Sequence, residues 1–143
     1  MEKPKIRKRV GIITKLNLLI MIEWYKKVVF ENYANFEGRA RRKEYWMFFL
    51  ANMIISFALG FVMGLISPSL GLVANVYSLA VLVPSIAVAI RRMHDVGKSG
   101  WFILIPIYNL ILACTEGDKG ANAYGPDPKN EFDEVNEIGK AEL

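Results

Sequence analysis

Residues 46–90 contain no Asp, Glu, Lys, Arg or His. A soluble chain of 143 residues has too little interior to hide 45 successive uncharged positions, because a small domain keeps much of its surface in contact with water. The stretch divides into two apolar runs of 21 residues, 46–66 and 70–90, separated by Ser67, Pro68 and Ser69. At helical rise each run covers roughly 31 Å, close to the thickness of a hydrocarbon core of about 30 Å. A helix satisfies its own backbone, as lipid requires. The expected fold is therefore all-α: an integral membrane hairpin that crosses and returns through a tight turn at 67–69. An ordinary water-soluble enzyme is excluded. The polar residues inside, Asn52, Ser56, Asn75, Ser78 and Ser85, carry no charge. Pro84 removes a backbone donor and kinks the second helix. Ser56, Gly60 and Gly64 form a small-residue stripe that lets another helix approach closely, either the second span or a second copy.

A third apolar stretch, 99–115, is uncharged over 17 residues and interrupted by Pro106 and Asn109. As a helix it reaches roughly 26 Å, the lower limit for a span. Crossing is the favoured reading, and a segment that dips in and returns is the alternative. Lys and Arg set orientation. Arg39, Arg41, Arg42 and Lys43 precede the first span, Arg91, Arg92 and Lys98 follow the second, and the turn between has none. Both basic ends, with the N-terminus, are expected in the cytoplasm. The side of the chain after Glu116 depends on whether 99–115 crosses.

The chain then divides into a basic extension, 1–20, a membrane domain, 21–129, with spans near 46–66, 70–90 and 99–115, and an acidic tail, 130–143, expected to be disordered. Residues 1–45 hold 12 Lys/Arg against 5 Asp/Glu, whereas 116–143 hold 3 against 8. From Met21, the residues Trp24, Tyr25, Val28, Val29, Tyr33 and Phe36 recur at steps of three and four, with Glu23, Lys26, Lys27 and Glu31 between them. That is the pattern of an amphipathic helix lying in the membrane interface.

One cysteine, Cys114, and one histidine, His94, exclude an internal disulfide and a protein-only zinc site of the usual four Cys/His ligands. No phosphate-binding loop or nucleophile elbow occurs, and no cofactor, metal or nucleic acid is implied. Two blocks remain. In Phe36-Glu-Gly-Arg-Ala-Arg-Arg-Lys-Glu-Tyr-Trp46, Arg39, Arg41 and Arg42 stand at the mouth of a span, with Tyr45 and Trp46 at headgroup depth. Guanidinium groups bind phosphate bidentately, so these arginines, with Arg91 and Arg92, are candidates for binding anionic lipid or a partner. The alternative is topology alone. In Arg91-Arg-Met-His-Asp-Val-Gly-Lys-Ser-Gly-Trp101, neighbouring His94 and Asp95 do not face each other on a helix. Asp95 is instead expected to be a structural counter-ion to an arginine of the first block, with Gly97 allowing the chain to reverse.

FEGRARRKEYW, two spans, RRMHDVGKSGW and then IPIYNLILACTEGDKGANAYGPDPK, in that order over about residues 22–129, resemble the domain of unknown function 805 family. The family consists of small bacterial inner-membrane proteins with no established activity. The resemblance implies an inner-membrane location and a multi-pass topology, and it supplies no catalytic residue. Its pattern begins near a Trp-Tyr pair, matched by Trp24 and Tyr25, which makes Met21 a candidate native start. The expected function is a non-enzymatic membrane module whose cytoplasmic basic face binds anionic lipid or a protein partner, with a homo-oligomer as a further option. The rival is an oligomeric transporter or channel subunit built around Asn52, Asn75 and Pro84. The absence of ionisable groups at the midplane counts against ion coupling.

Overall fold

The computed structural model describes residues 3–67 and 70–129, with side chains from Gly11 onward; the 130–143 tail and two of the three turn positions lie outside the described residues. The regular structure is helical. In order, it consists of α1 (Lys3–Lys26), a π-helical turn (Lys27–Glu31), α2 (Arg42–Ile66), α3 (Gly71–Asp95), a 3₁₀ turn (Gly100–Leu104) and α4 (Pro106–Cys114).

α2 and α3 form the hairpin, and both are long and apolar enough to cross a membrane. Their outer faces are covered with large hydrophobic side chains: Phe57 is 75% exposed, Leu72 71% and Leu79 69%. An apolar face of this extent is unstable in water and stable in hydrocarbon. Contact between the helices is concentrated at one end. Phe48 and Val88 meet there with Val28 and Ala40 in a buried cluster, whereas no described residue between positions 52 and 80 is buried. A methyl placed on Gly60 or Gly64 would meet nothing within 4 Å. The small-residue stripe therefore does not serve the packing of α2 on α3.

α1 runs unbroken across the expected boundary between residues 20 and 21. Residues 11–19 are exposed, and only the end of the helix joins the bundle. Trp24 and Val28 are buried, and the Tyr25 ring stacks on Phe48 with centroids 5.6 Å apart. The aromatic stripe expected to face lipid is thus divided: its first half packs on α2 and α3, while Tyr33 and Phe36 remain exposed. Helix also ends earlier than the periodicity suggests, at Glu31. The Asn32 backbone N–H and its side-chain Nδ2 both donate to the Lys27 carbonyl at 3.1 Å, which closes the last turn. Gly38, at φ 78°, then redirects the chain toward α2.

Residues 99–115 do not form the expected third crossing. Gly97, at φ 67°, ends α3 in a Schellman motif: its N–H bonds His94 O at 3.0 Å and that of Lys98 bonds Met93 O at 3.0 Å. A short 3₁₀ turn follows. Pro106 then occupies the first turn of α4, where its missing N–H costs nothing. α4 has 9 residues and a length of about 13 Å, too short to span. Leu112 packs with Met93 and Val96, so the segment leaves the charged end of α3 and comes back to it.

Pro84 also has a local solution. Its ring removes the N–H that would bond the Ala80 carbonyl four residues earlier. The Tyr33 hydroxyl, from the loop after the π turn, donates to that carbonyl at 2.6 Å. Tyr33→Phe is expected to cost about 1 kcal/mol in unfolding titrations in detergent micelles. In a Pro84→Ala background, where the helix regains its own donor, the same substitution should cost almost nothing. Equal costs in the two backgrounds would show that the hydroxyl does not serve this carbonyl.

Candidate functional site

The helix ends that meet at the charged end of the hairpin leave backbone groups to satisfy, and two arginines that share one aspartate serve several of them. Asp95, the last residue of α3, is buried, with its side chain 2% exposed between Arg39 and Arg92, themselves 1% and 0% exposed. Arg39 Nε donates to Asp95 Oδ1 at 3.0 Å, and Arg92 Nη1 donates to Oδ2. Neither guanidinium stops there. Arg39 Nη1 donates to Gly120 O at 2.6 Å and Nη2 to Asp118 O. Arg92 reaches the C-terminus of α4, with Nε to Ala113 O at 3.4 Å and Nη2 to Leu112 O at 3.3 Å and to Thr115 O. A cation at these carbonyls is favoured by the helix dipole as well as by hydrogen bonding. Trp46 Nε1 adds a donor to Ala113 O at 3.2 Å.

The segment after α4 closes over the end of α3. The Asp118 N–H donates to Asp95 O at 2.7 Å, and Asn122 Nδ2 donates to His94 O at 2.9 Å. Tyr124 stacks on the His94 ring at 4.0 Å, nearly parallel, while His94 Nδ1 lies 3.1 Å from Gly38 O. Ala40 N–H donates to Arg91 O at 3.0 Å. Outside the helices, the Lys129 ammonium bonds Glu116 and holds that carboxyl below its ordinary pKa. The Asp127 carboxyl is lowered likewise, by the backbone N–H groups of Lys129 and Gly120, each at 2.9 Å. A cavity of about 80 Å³ beside Asp95 and Asp118 has room for two or three waters.

A second ion-pair group is built on Glu44. Arg91 Nη1 donates to Glu44 Oε1 at 2.8 Å, both buried, and Lys27 Nζ stands 3.7 Å from Glu44 Oε2. Lys27 and Arg41 both lie over the Trp24 ring, at 4.8 and 4.7 Å from its centroid.

The five arginines expected on an accessible basic face therefore separate. Arg39, Arg91 and Arg92 are interior residues bound to carboxylates and carbonyls, and Arg41 is buried against Trp24. Arg42 alone of the five is exposed, 3.5 Å from Glu116. Asp95 meets the first block through Arg39. Asn52 accepts a 2.8 Å bond from the Tyr77 hydroxyl, which in turn lies 3.0 Å from that of Tyr25, whereas Asn75 is exposed. The two asparagines do not converge. Sequence reasoning missed Gly117, where a methyl would collide with the Asp95 carboxylate. It also missed Glu44, Asp118, Asn122 and Tyr124. The run IPIYNLILACTEGDKGANAYGPDPK, part of the family resemblance, covers these positions other than Glu44.

Asp95→Asn leaves two buried guanidiniums without their counter-charge and is expected to cost about 3–5 kcal/mol in unfolding titrations in micelles. Gly117→Ala forces the closing segment or the aspartate to move, at about 1–3 kcal/mol. A loss below about 1 kcal/mol for Asp95→Asn would remove this cluster from the centre of the fold.

A family model described as protein of unknown function (DUF805) matches residues 33–126, a window that contains Arg39, Asp95, Arg92 and the whole closing segment through Gly125. Inner membrane protein YhaI of Escherichia coli (strain K12) is 43% identical over 115 residues, covering 76% of this chain and 97% of the relative. Inner membrane protein YhaH of the same strain is 40% identical over 121 residues, covering 77% and 99%. No solved structure matches the chain. With two apolar hairpin helices that end on a shared buried ion cluster, the chain belongs to the DUF805 family of inner-membrane proteins.

Proposed function

We propose that the protein is a non-enzymatic, multi-pass module of the bacterial inner membrane, with the charged end of its hairpin in the cytoplasm, where its exposed basic rim engages anionic phospholipid. The observation that carries this reading is the one-sided distribution of charge. From Glu23 to Lys129 there are eleven Lys/Arg against eight Asp/Glu, and none of either between residues 46 and 90. Cationic residues confined to one end favour that end as cytoplasmic. With Arg39, Arg91 and Arg92 committed to the interior, the rim consists of exposed Lys26, Arg42, Lys43 and Lys98. Trp101, 79% exposed, and Ile107, 77% exposed, lie on the short segment that returns to the same end. An interfacial position suits exposed apolar and aromatic side chains of this kind. The engagement of His94 by Tyr124 and Gly38, and of Asp95 by two arginines, supports a structural role for both rather than proton transfer.

Proteoliposomes carrying spin-labelled phosphatidylglycerol or phosphatidylcholine test the lipid preference. Selectivity for phosphatidylglycerol of about two- to threefold is expected, falling at high salt and in an Arg42→Gln/Lys98→Gln variant; equal partitioning of the two lipids defeats the reading. Orientation is tested by cysteine accessibility in a Cys114→Ser background. Ala121→Cys should react with a membrane-impermeant maleimide only after the cells are opened, and Ser67→Cys in intact cells. The reverse pattern would invert the topology.

A further inference from the structure

We propose that the outer face of α3 is the interface of a parallel homodimer in the membrane, in which Asn75 of one copy is hydrogen-bonded to Asn75 of the other. The starting point is Asn75 itself. Its side chain is exposed on α3 and has no hydrogen-bond partner among the described residues. Arg91 marks the charged end of the helix, and Asn75 precedes it by 16 positions, or about 24 Å along the axis. That is still inside a hydrocarbon core of about 30 Å. The other uncharged polar side chains along the apolar length of α3 are answered within the chain. Tyr77 donates to Asn52 at 2.8 Å, Ser78 to Ala74 O at 2.9 Å and Ser85 to Val81 O at 2.6 Å. Acyl chains offer an amide neither donor nor acceptor, so turning Asn75 toward lipid is costly.

The residues around Asn75 form a seam. Leu72, Asn75, Leu79, Leu82 and Ile86 follow one another at steps of three and four, the spacing of two helices that cross at a shallow left-handed angle. All five are exposed. At about 100° per residue this stripe lies opposite the buried face of α3, which holds Val81, Pro84 and Val88. A second helix therefore reaches it without displacing α2. Lipid would cover the leucines equally well but would leave the amide unmet, whereas a second copy answers both. An amide carries a donor and an acceptor, so it is complementary to itself. Two copies inserted with the same topology hold Asn75 at the same depth, and a twofold axis along the membrane normal brings the two amides together. Each then donates from Nδ2 and accepts at Oδ1, the kind of bond that joins helices in lipid. A single polar residue in an apolar seam also fixes register, since every shifted pairing sets the amide against leucine. This pairing goes beyond the lipid preference of the rim and does not depend on it.

Cys114 is the one cysteine of the chain and is exposed, so the full chain accepts a single fluorophore. Donor-labelled and acceptor-labelled chains, reconstituted together in phosphatidylcholine vesicles over a range of protein-to-lipid ratios, report association as energy transfer. Transfer above that of random proximity is expected, rising to a plateau that fits a dimer. Asn75→Leu presents only apolar surface to lipid and keeps the monomer, and it should weaken association about tenfold. Asn75→Gln retains the amide and should weaken it less than about threefold. Gly60→Ile, on the small-residue stripe of α2 where a methyl meets nothing, should change it less than about twofold. In a Cys114→Ser background, oxidation should crosslink copies through Leu72→Cys and Leu79→Cys but not through Val73→Cys, which is exposed on another side of α3. Transfer no higher than random at every ratio overturns the pairing, as does undiminished association in Asn75→Leu. Association lost in Gly60→Ile and kept in Asn75→Leu overturns it in favour of the α2 stripe, and equal crosslinking at all three positions overturns the seam. The vesicles contain no anionic lipid, so each of these outcomes is separate from that of the lipid-selectivity experiment.

Discussion

Asp95 is the one full negative charge that Arg39 and Arg92 share, and through them it ties together parts of the chain distant in sequence: the loop before α2, the end of α3, the end of α4 and the segment after it. Burying an ion is costly, and the attraction between buried ions offsets that cost only when the remaining donors and acceptors are also satisfied. Here they are. Each guanidinium turns one side to the aspartate and others to backbone carbonyls, which are themselves the orphans left by helix ends. The same atoms therefore meet two separate demands, those of the charges and those of the backbone. Lysine would meet the first but not the second, since a single ammonium cannot spread its donors over three carbonyls and a carboxylate in one plane.

The rest of the architecture follows from this concentration. Lipid gives helices no hydrophobic reason to associate, and none of the described residues between positions 52 and 80 is fully buried. Cohesion comes from the charged end and from a few polar contacts at depth, where Tyr77 links Asn52 to Tyr25 and Tyr33 serves Ala80. Both contacts reach from the end of α1 and the loop after it to α3. That stretch is thus more than an interfacial float. It supplies the donors that the membrane cannot, including the one that Pro84 withholds.

The two spans were legible because charge-free runs of helical length have no soluble alternative, and the pairing of Asp95 with the first arginine block was legible because an acid between basic blocks at one end needs a partner. Three features were not. Residues 99–115 are apolar enough to be read as a span. Their fate was decided by Gly97 ending α3, Pro106 starting a new helix and Arg92 capping it after 9 residues, and only the last of these is a contact between distant residues. The arginines looked like a surface because sequence shows their charge but not the carbonyls that bury them. Gly117 carries no mark of a site in the sequence, yet its missing side chain is what admits the Asp95 carboxylate.

The same physics explains why the two ion clusters differ. Around Asp95, donors and acceptors are closely matched, because helix ends and the closing segment bring an abundance of carbonyls. Around Glu44 there is no such supply. α2 presents its N-terminus there, an array of donors, and a donor-rich helix end beside Arg91, Arg41 and Lys27 repeats the positive charge instead of answering it. One carboxylate there, that of Glu44, takes both Arg91 and Lys27. A helix C-terminus draws in arginine through its carbonyls, whereas a helix N-terminus offers only donors and gives an arginine nothing to bind.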